Sequence, residues 1–299
     1  MPLDPDNATG ALMEACAAAG LDPTDAELIR LGESAVFRLR TSPVVVRVGR
    51  SSSRLKEAER EVAIARWLTT ERVPAVHALD VYQPIAVGGR VVTFWESVSD
   101  LQEYGTTSEL AALLRQLHQL TPPMELPPLD PFGRINDRIE GLTTISETDR
   151  GFLRRRAAGL VDAYARLSFS LPLGVIHGDA SVGNVFRDKR GQALLGDLDG
   201  FVVGPREWDL LQTAIYYDRF GWHTEREYRA FADTYGYDVM AWPGYPVMRD
   251  VRELLMVTWL AQNAAASREV AAELAKRVST LKWLYAAKRG SRHLIGVVW

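Results

Sequence analysis

Apolar and polar residues alternate in short runs near the start of the chain and shift to helical spacing further on. Period-two runs predict strands over 27–30, 36–39, 44–48, 83–87 and 91–95, with the Gly88-Gly89 pair as a hairpin turn between the last two. Two helical patterns lie among them. Residues 7–20 read as a helix with Asn7 as cap and Gly20 as stop, and EAEREVAIARWL places a helix over 55–68, apolar on one side and charged on the other. From residue 107 the chain turns helical: SELAALLRQLHQL carries an apolar stripe behind Ser108 as its cap. The proline-rich run 121–133 stops that helix. Helices follow over 147–167, 225–235, 249–266 and 268–287.

Between the helices lies VIHGDASVGNVFRDKRGQALLGDLDG, residues 175–200. Two apolar runs, Val175-Ile176 and Ala193-Leu194-Leu195, each lead into acids, and the Lys189-Arg190-Gly191 turn brings Asp197 and Asp199 back beside His177, Asp179 and Asn184. This oxygen-rich cluster has no cysteine and no second histidine, which suits a hard cation such as Mg2+ that keeps a phosphate as its other partner.

Three features of the strand-rich region bear on the same chemistry. Leu31-Gly32-Glu33-Ser34-Ala35 is a turn between strands whose backbone N–H groups are suited to lie over phosphates. Arg47 is the one charge in VVVRVG; on a strand it points opposite to Val46 and Val48 and requires an anionic partner. Glu57 and Glu61, one helical turn apart, are the competing partners.

His177-Gly178-Asp179 with Asn184 five residues on, then Asp197 after a strand, resembles the catalytic and metal-binding segments of the aminoglycoside phosphotransferases. The resemblance spans roughly residues 25 to 265, with its specific motifs at 177–209. It implies an α+β, bilobal protein-kinase-like fold, with a small β-rich lobe over 1–97 and a larger, mainly helical lobe over 98–299 forming one two-lobed domain. It implies transfer of the terminal phosphate of ATP or GTP to a hydroxyl of a small molecule, with Mg2+. Asp179 is then the residue that aligns the hydroxyl, Asn184 and Asp197 hold metal, and Asp199 touches a second metal or braces the loop. Arg47 stands where the family commonly has lysine, paired with Glu61, and Gly32 and Ser34 cover the phosphates. The stretch 96–100 is the crossover whose backbone, at Glu96 and Val98, meets the base. Gly204-Pro205-Arg206-Glu207-Trp208-Asp209 resembles the segment after the metal aspartate, with Asp209 structural. Tyr217, Asp218, Trp222, His223, Trp259 and Gln262 fall in the region that lines the acceptor pocket. Antibiotic inactivation is the commonest activity of such proteins, and an aminoglycoside, nucleoside or peptide antibiotic is the expected acceptor. A metabolic kinase for a sugar or amino alcohol is the alternative, and a catalytically silent nucleotide-binding protein a third.

Composition narrows this picture. The 299 residues, 47% hydrophobic and 24% charged, support a sizeable core. A formal charge of −3 argues against a nucleic-acid partner bound by bulk charge. One cysteine, Cys16, fits a reducing cytoplasm, and neither a secretory leader nor a membrane span is expected. Oligomeric state leaves no trace in the sequence.

Overall fold

Val44, Val46 and Val48 turn one face of their strand into the core, and the alternate positions Val45 and Arg47 face the other way. That strand is central in an antiparallel sheet of five, β1 (Glu27–Leu31), β2 (Ser34–Arg38), β3 (Val44–Gly49), β4 (Ile85–Val87) and β5 (Arg90–Glu96), ordered β1-β2-β3-β5-β4. The computed structural model describes residues 3–99, 103–133, 135–142, 145–263 and 268–290.

Helix α1 (Pro5–Ala19) covers the core face of the sheet through Ala8, Leu12, Ala15 and Cys16. Its cap is Asp4 rather than Asn7. Pro5 needs no N–H partner and starts the helix, so Asn7 falls in the first turn, where its side chain and backbone exchange bonds with Asp4. Burial drives the Cys16 thiol up to about 11, which leaves it an inert core group. Between β4 and β5, Gly88 and Gly89 both take positive φ, +57° and +74°, as a two-residue hairpin turn demands. β4 starts two residues later than the alternation suggests, because Pro84 has no N–H for the ladder.

Helix α2 (Leu55–Thr70) buries Glu61, Val62, Ile64, Ala65 and Leu68. Helix α3 (Thr107–Leu117) is capped by Thr106, not Ser108, because Glu109 three residues on completes a capping box. Ser108 instead bonds Thr234 at 2.8 Å on α7 (Glu225–Tyr235). Two short antiparallel pairs follow: β6 (Leu173–Ile176) with β9 (Val202–Pro205), and β7 (Val185–Arg187) with β8 (Ala193–Leu195). Together with α6 (Glu207–Asp218) these elements belong to the first compact unit, residues 1–128 and 171–238.

The second unit, 129–170 and 239–299, is helical among its described residues. It contains α4 (Ile135–Glu140), α5 (Glu147–Tyr164), α8 (Tyr245–Asn263) and α9 (Arg268–Gly290). α4 is too short to show a periodicity in sequence. Ile139, Leu153, Leu160, Leu254 and Val257 are buried there, and Arg156 pairs with the buried Asp250. α8 begins four residues before the expected start, and 264–266 lie outside the described residues. No helix among the described residues is long and apolar enough to cross a membrane.

Candidate active site

The loop after β6 is held from beneath by one buried carboxylate. Asp209, near the start of α6, accepts the N–H of His177 at 2.7 Å and of Gly178 at 2.9 Å. The Nε2 of His118 donates to the same carboxylate at 3.0 Å, while its Nδ1 accepts the Tyr235 hydroxyl at 2.8 Å. Burial alone raises the pKa of a carboxyl; at Asp209 the His118 bond and nearby charge outweigh it and hold the group below its ordinary value. His177, fully buried, donates Nε2–H to the Gly196 carbonyl at 2.9 Å. Its other nitrogen accepts the Asp179 N–H at 3.3 Å. Gly178 takes φ +84°, and a Cβ there would sit 2.3 Å from the Gly200 oxygen. Trp208 donates Nε1–H to the Gly178 carbonyl at 2.9 Å, so it braces the loop rather than only filling core.

This scaffold presents Asp179 exposed at the tip of the loop. Asn184 bonds back to the Asp179 carbonyl at 2.8 Å, and its own carbonyl accepts the Gly196 N–H at 2.8 Å. Asp197 follows directly, in the left-handed region at φ +55°, uncommon for a residue with a side chain. Its carboxylate is open to solvent yet crowded by protein. Partial desolvation and the Asp199 charge raise its pKa, and Arg47 opposes them. Asn184, Asp197 and Asp199 are hard oxygen donors, and mutual repulsion between acids is what a divalent cation relieves. The residues therefore fit Mg2+. Among the described residues no three His, Cys, Asp or Glu side chains gather into a metal cage, so a cation held here needs further ligands such as phosphate oxygens.

Arg47 meets Glu61 at 2.6 Å, with 7% of the Glu61 side chain exposed. Glu57 is taken by Arg54 instead. Burial and the charges of Asp199 and Asp197 push the Glu61 carboxyl up to about 7, against the pull of Arg47. Arg47 loses solvation by burial, but Glu61, Asp197 and Asp199 more than compensate and raise its pKa. Arg47 thus stands on the sheet face opposite Val46 and Val48, paired with Glu61 and within electrostatic reach of Asp197 and Asp199. At the β1–β2 turn a Cβ on Gly32 would meet nothing within 4 Å, and Arg50 donates to the Gly32 carbonyl at 2.9 Å. Ser34 begins β2 beside it.

Beyond β5 the Ser97 N–H is taken by Pro43 at 2.8 Å and the Glu96 N–H by His77 at 3.0 Å. The next N–H, that of Val98, has no partner among the described residues. Asp100, the end of the expected crossover, lies outside the described residues.

The end of α6 carries an aromatic group. Tyr217 stacks on Tyr228 with centroids 5.2 Å apart, and Tyr216 packs on Trp222 at 4.8 Å. Trp222 remains 57% exposed, Asp218 is half-buried, and burial lowers the pKa of His223. Trp259 lies on α8 in the second unit and is exposed; the Gln262 side chain lies outside the described residues.

Sequence reasoning passed over Tyr235, Arg50 and Arg54. His118, which reads in the sequence as a helix-end residue, is the C-cap of α3, and what the sequence does not show is that it is buried against Asp209. Arg54 lies near enough to Asp199 and Glu33 to feel both charges, and nothing in its sequence context marks that.

A five-stranded antiparallel sheet carrying an Arg–Glu pair, followed by a loop with Asp, Asn and a second Asp, defines a kinase-like small-molecule phosphotransferase. The chain belongs to the phosphotransferase enzyme family, whose model matches residues 25–251. Solved structures with the same fold include an amicoumacin kinase, 14% identical, with 91% of this chain and 92% of that one covered and a TM-score of 0.70. A microcompartment-associated aminopropanol kinase is 18% identical over 91% and 94% of the two chains, with a TM-score of 0.68. A choline/ethanolamine kinase family protein from Mesorhizobium loti is 19% identical over 91% and 94%, with a TM-score of 0.61. No curated protein is significantly similar to the chain in sequence.

Proposed function

We propose that the chain moves the terminal phosphate of ATP or GTP to a hydroxyl of a small molecule, in the cytoplasm, with Mg2+. The observation that carries this reading is the Arg47–Glu61 pair, whose electrostatic neighbours are Asp197 and Asp199. In this reading Arg47 grips the nucleotide's phosphates, Glu61 keeps its guanidinium in place, and Gly32 and Ser34 lie over them. The carbonyl of Glu96 and the unpaired N–H of Val98 meet the base. Asp179 accepts the proton of the attacking hydroxyl and aligns its oxygen. Asn184 and Asp197, with Asp199 beside them, hold the cation, which when bound neutralises charge on the transferring phosphate. Transfer of this kind rests on positioning and charge neutralisation more than on covalent chemistry. The boundary between lobes then falls at the crossover, with 1–97 on one side and 98–299 on the other.

For the acceptor we infer an antibiotic or related secondary metabolite, a reading supported by the amicoumacin kinase among the neighbours in fold and by a spectinomycin phosphotransferase with a TM-score of 0.62. The second reading is an amino alcohol, favoured by the aminopropanol kinase. Tyr217, Asp218, Trp222, His223, Trp259 and Gln262 are the proposed acceptor-binding residues. The test is a coupled turnover screen of ATP and GTP against aminoglycoside, nucleoside and peptide antibiotics, sugars and amino alcohols. A stoichiometric phosphorylated product seen by mass is expected. Nucleotide binding without turnover across the panel would point to a silent binder, and no binding would overturn the reading.

A further inference from the structure

The register of the sheet gives the proposed nucleotide site a direction. Val44 pairs with Glu96 and marks the end of β3 beside the base, and Arg47 pairs with Thr93, about 10 Å further along the strand. Gly49, the last residue of β3, pairs with Ser34 at the β1–β2 turn. The far end of a triphosphate held by Arg47 then points toward the segment that follows Gly49, which is Arg50-Ser51-Ser52-Ser53-Arg54. That segment is tied down. Arg50 donates to the Gly32 carbonyl at 2.9 Å, and the Gly89 carbonyl takes the Ser52 N–H at 2.7 Å. Ser51 Oγ accepts the Ser53 N–H at 3.2 Å and opens a short helical turn, Ser52–Arg54. The turn leaves Arg54 at the head of α2, and α2 packs on the Leu198–Gly200 turn directly after Asp197.

Helix stability does not explain an arginine at that position. Helix N-termini favour Ser, Thr, Asp or Asn as caps and disfavour cations, and the Arg54 side chain makes no capping bond. It pairs with Glu57, but the two side chains are 52% and 39% exposed, and such pairs are weak and exchange readily. The Glu57 bond is what chiefly raises the Arg54 pKa; burial opposes it, and the charges of Glu57, Asp199 and Glu33 add to it. Arg54 is therefore within electrostatic reach of both the β1–β2 turn and Asp199. Elsewhere the supply of positive charge is thin. Residues 177–184 include no lysine or arginine, and Arg47 is already bonded to Glu61. We propose, on the phosphotransferase reading above, that Arg54 leaves Glu57 to bind the terminal phosphate of the nucleotide and so distinguishes a triphosphate from a diphosphate. Its planar fork suits two oxygens of one phosphate. Once that phosphate has been transferred, Arg54 returns to Glu57 and the product nucleotide is held less tightly.

Calorimetric titration of the full chain in Mg2+, with the imido analogues of ATP and GTP and with ADP and GDP, tests this without an acceptor. Arg54→Met is expected to weaken binding of the triphosphate analogue about tenfold and to leave the matching diphosphate within about twofold. The thermal midpoint should not move, because the side chain is exposed and caps nothing. Glu57→Gln frees Arg54 and is expected to tighten the triphosphate analogue about two- to fivefold, a gain that a purely structural pair does not give. Equal weakening of both nucleotides in Arg54→Met, weakening of neither, or no tightening in Glu57→Gln overturns the proposal. A wild-type chain that binds none of the four nucleotides overturns the phosphotransferase reading itself.

Discussion

The Glu61 carboxylate lies 2.6 Å from Arg47, on a helix and a strand that meet only through folding. Glu61→Gln leaves Arg47 an amide oxygen to bond and keeps Asp197 and Asp199 near its charge, but removes the carboxylate that aims it. It is expected to raise the nucleotide KM about tenfold or more, with only a small shift of the thermal midpoint at pH 7. A cycle with Arg47→Met separates pairing from packing, and additive losses in the two single variants would show that the pair is not a unit.

The same pair sets a pH dependence. Glu61 has a folded-state pKa of about 7, raised from 4.5 by burial and by Asp199 and Asp197. The folded chain holds that proton where the unfolded chain has released it. Its contribution to stability is therefore full below about pH 4.5 and is lost as pH rises through about 7. The nucleotide-free protein should lose stability across that window, and Glu61→Gln should flatten the slope. A pH series of denaturant unfolding curves on both proteins measures it.

Asp209 is expected to behave with the opposite sign. Its folded pKa lies below the ordinary 3.8, so its contribution is present above that value and is lost as pH falls through the lower one. Asp209→Asn sets an amide against two backbone donors and removes the charge facing His118. Losses of about 2–4 kcal/mol are expected from the unsatisfied N–H groups, together with weaker dependence of stability on pH below 4. Acid titrations followed by circular dichroism would show it.

Asp179→Asn is expected to lower turnover about a hundredfold or more, since it removes the proton acceptor. Nucleotide affinity should stay within about twofold, because Asp179 stands exposed at the loop tip. Chelation of divalent cations should abolish turnover and weaken nucleotide binding as well. Isothermal titration beside a turnover assay separates the two cases, and comparable turnover in Asp179→Asn would remove that residue from the chemistry.

Much of this was legible because strand and loop patterns carry their own signs. The lone charge in VVVRVG had to face away from Val46 and Val48, and it does. The two apolar runs that end in acids form β6, which leads into the Asp179 loop, and β8, which leads into Asp197. The choice of Glu61 over Glu57 came from the family resemblance and holds at 2.6 Å; position alone left both open, because they lie on the same helix and the packing of α2 decides which is buried. Caps misled the reading by two or three residues at α1 and α3, because several adjacent residues there can cap and the partner three positions on decides. His118 does end its helix, but its partner was not legible, because Asp209 is 91 residues away.

Trp222 offers a test of the acceptor reading. It packs against Tyr216 and Phe220 at 4.8 and 4.9 Å yet leaves 57% of its surface open, so its contacts position a ring that the core does not need. An exposed, braced indole is suited to stack on an apolar or cationic part of an acceptor. Trp222→Ala should raise the acceptor KM about tenfold, leave the nucleotide KM unchanged, and shift the thermal midpoint little. His223 is the paired control. Burial lowers its pKa from the ordinary 6.5, which favours the neutral ring at pH 7, and His223→Gln should leave the pH profile above 7 unchanged. Steady-state kinetics with the acceptor and the nucleotide varied in turn decides this. An unchanged acceptor KM in Trp222→Ala would move the acceptor away from the end of α6.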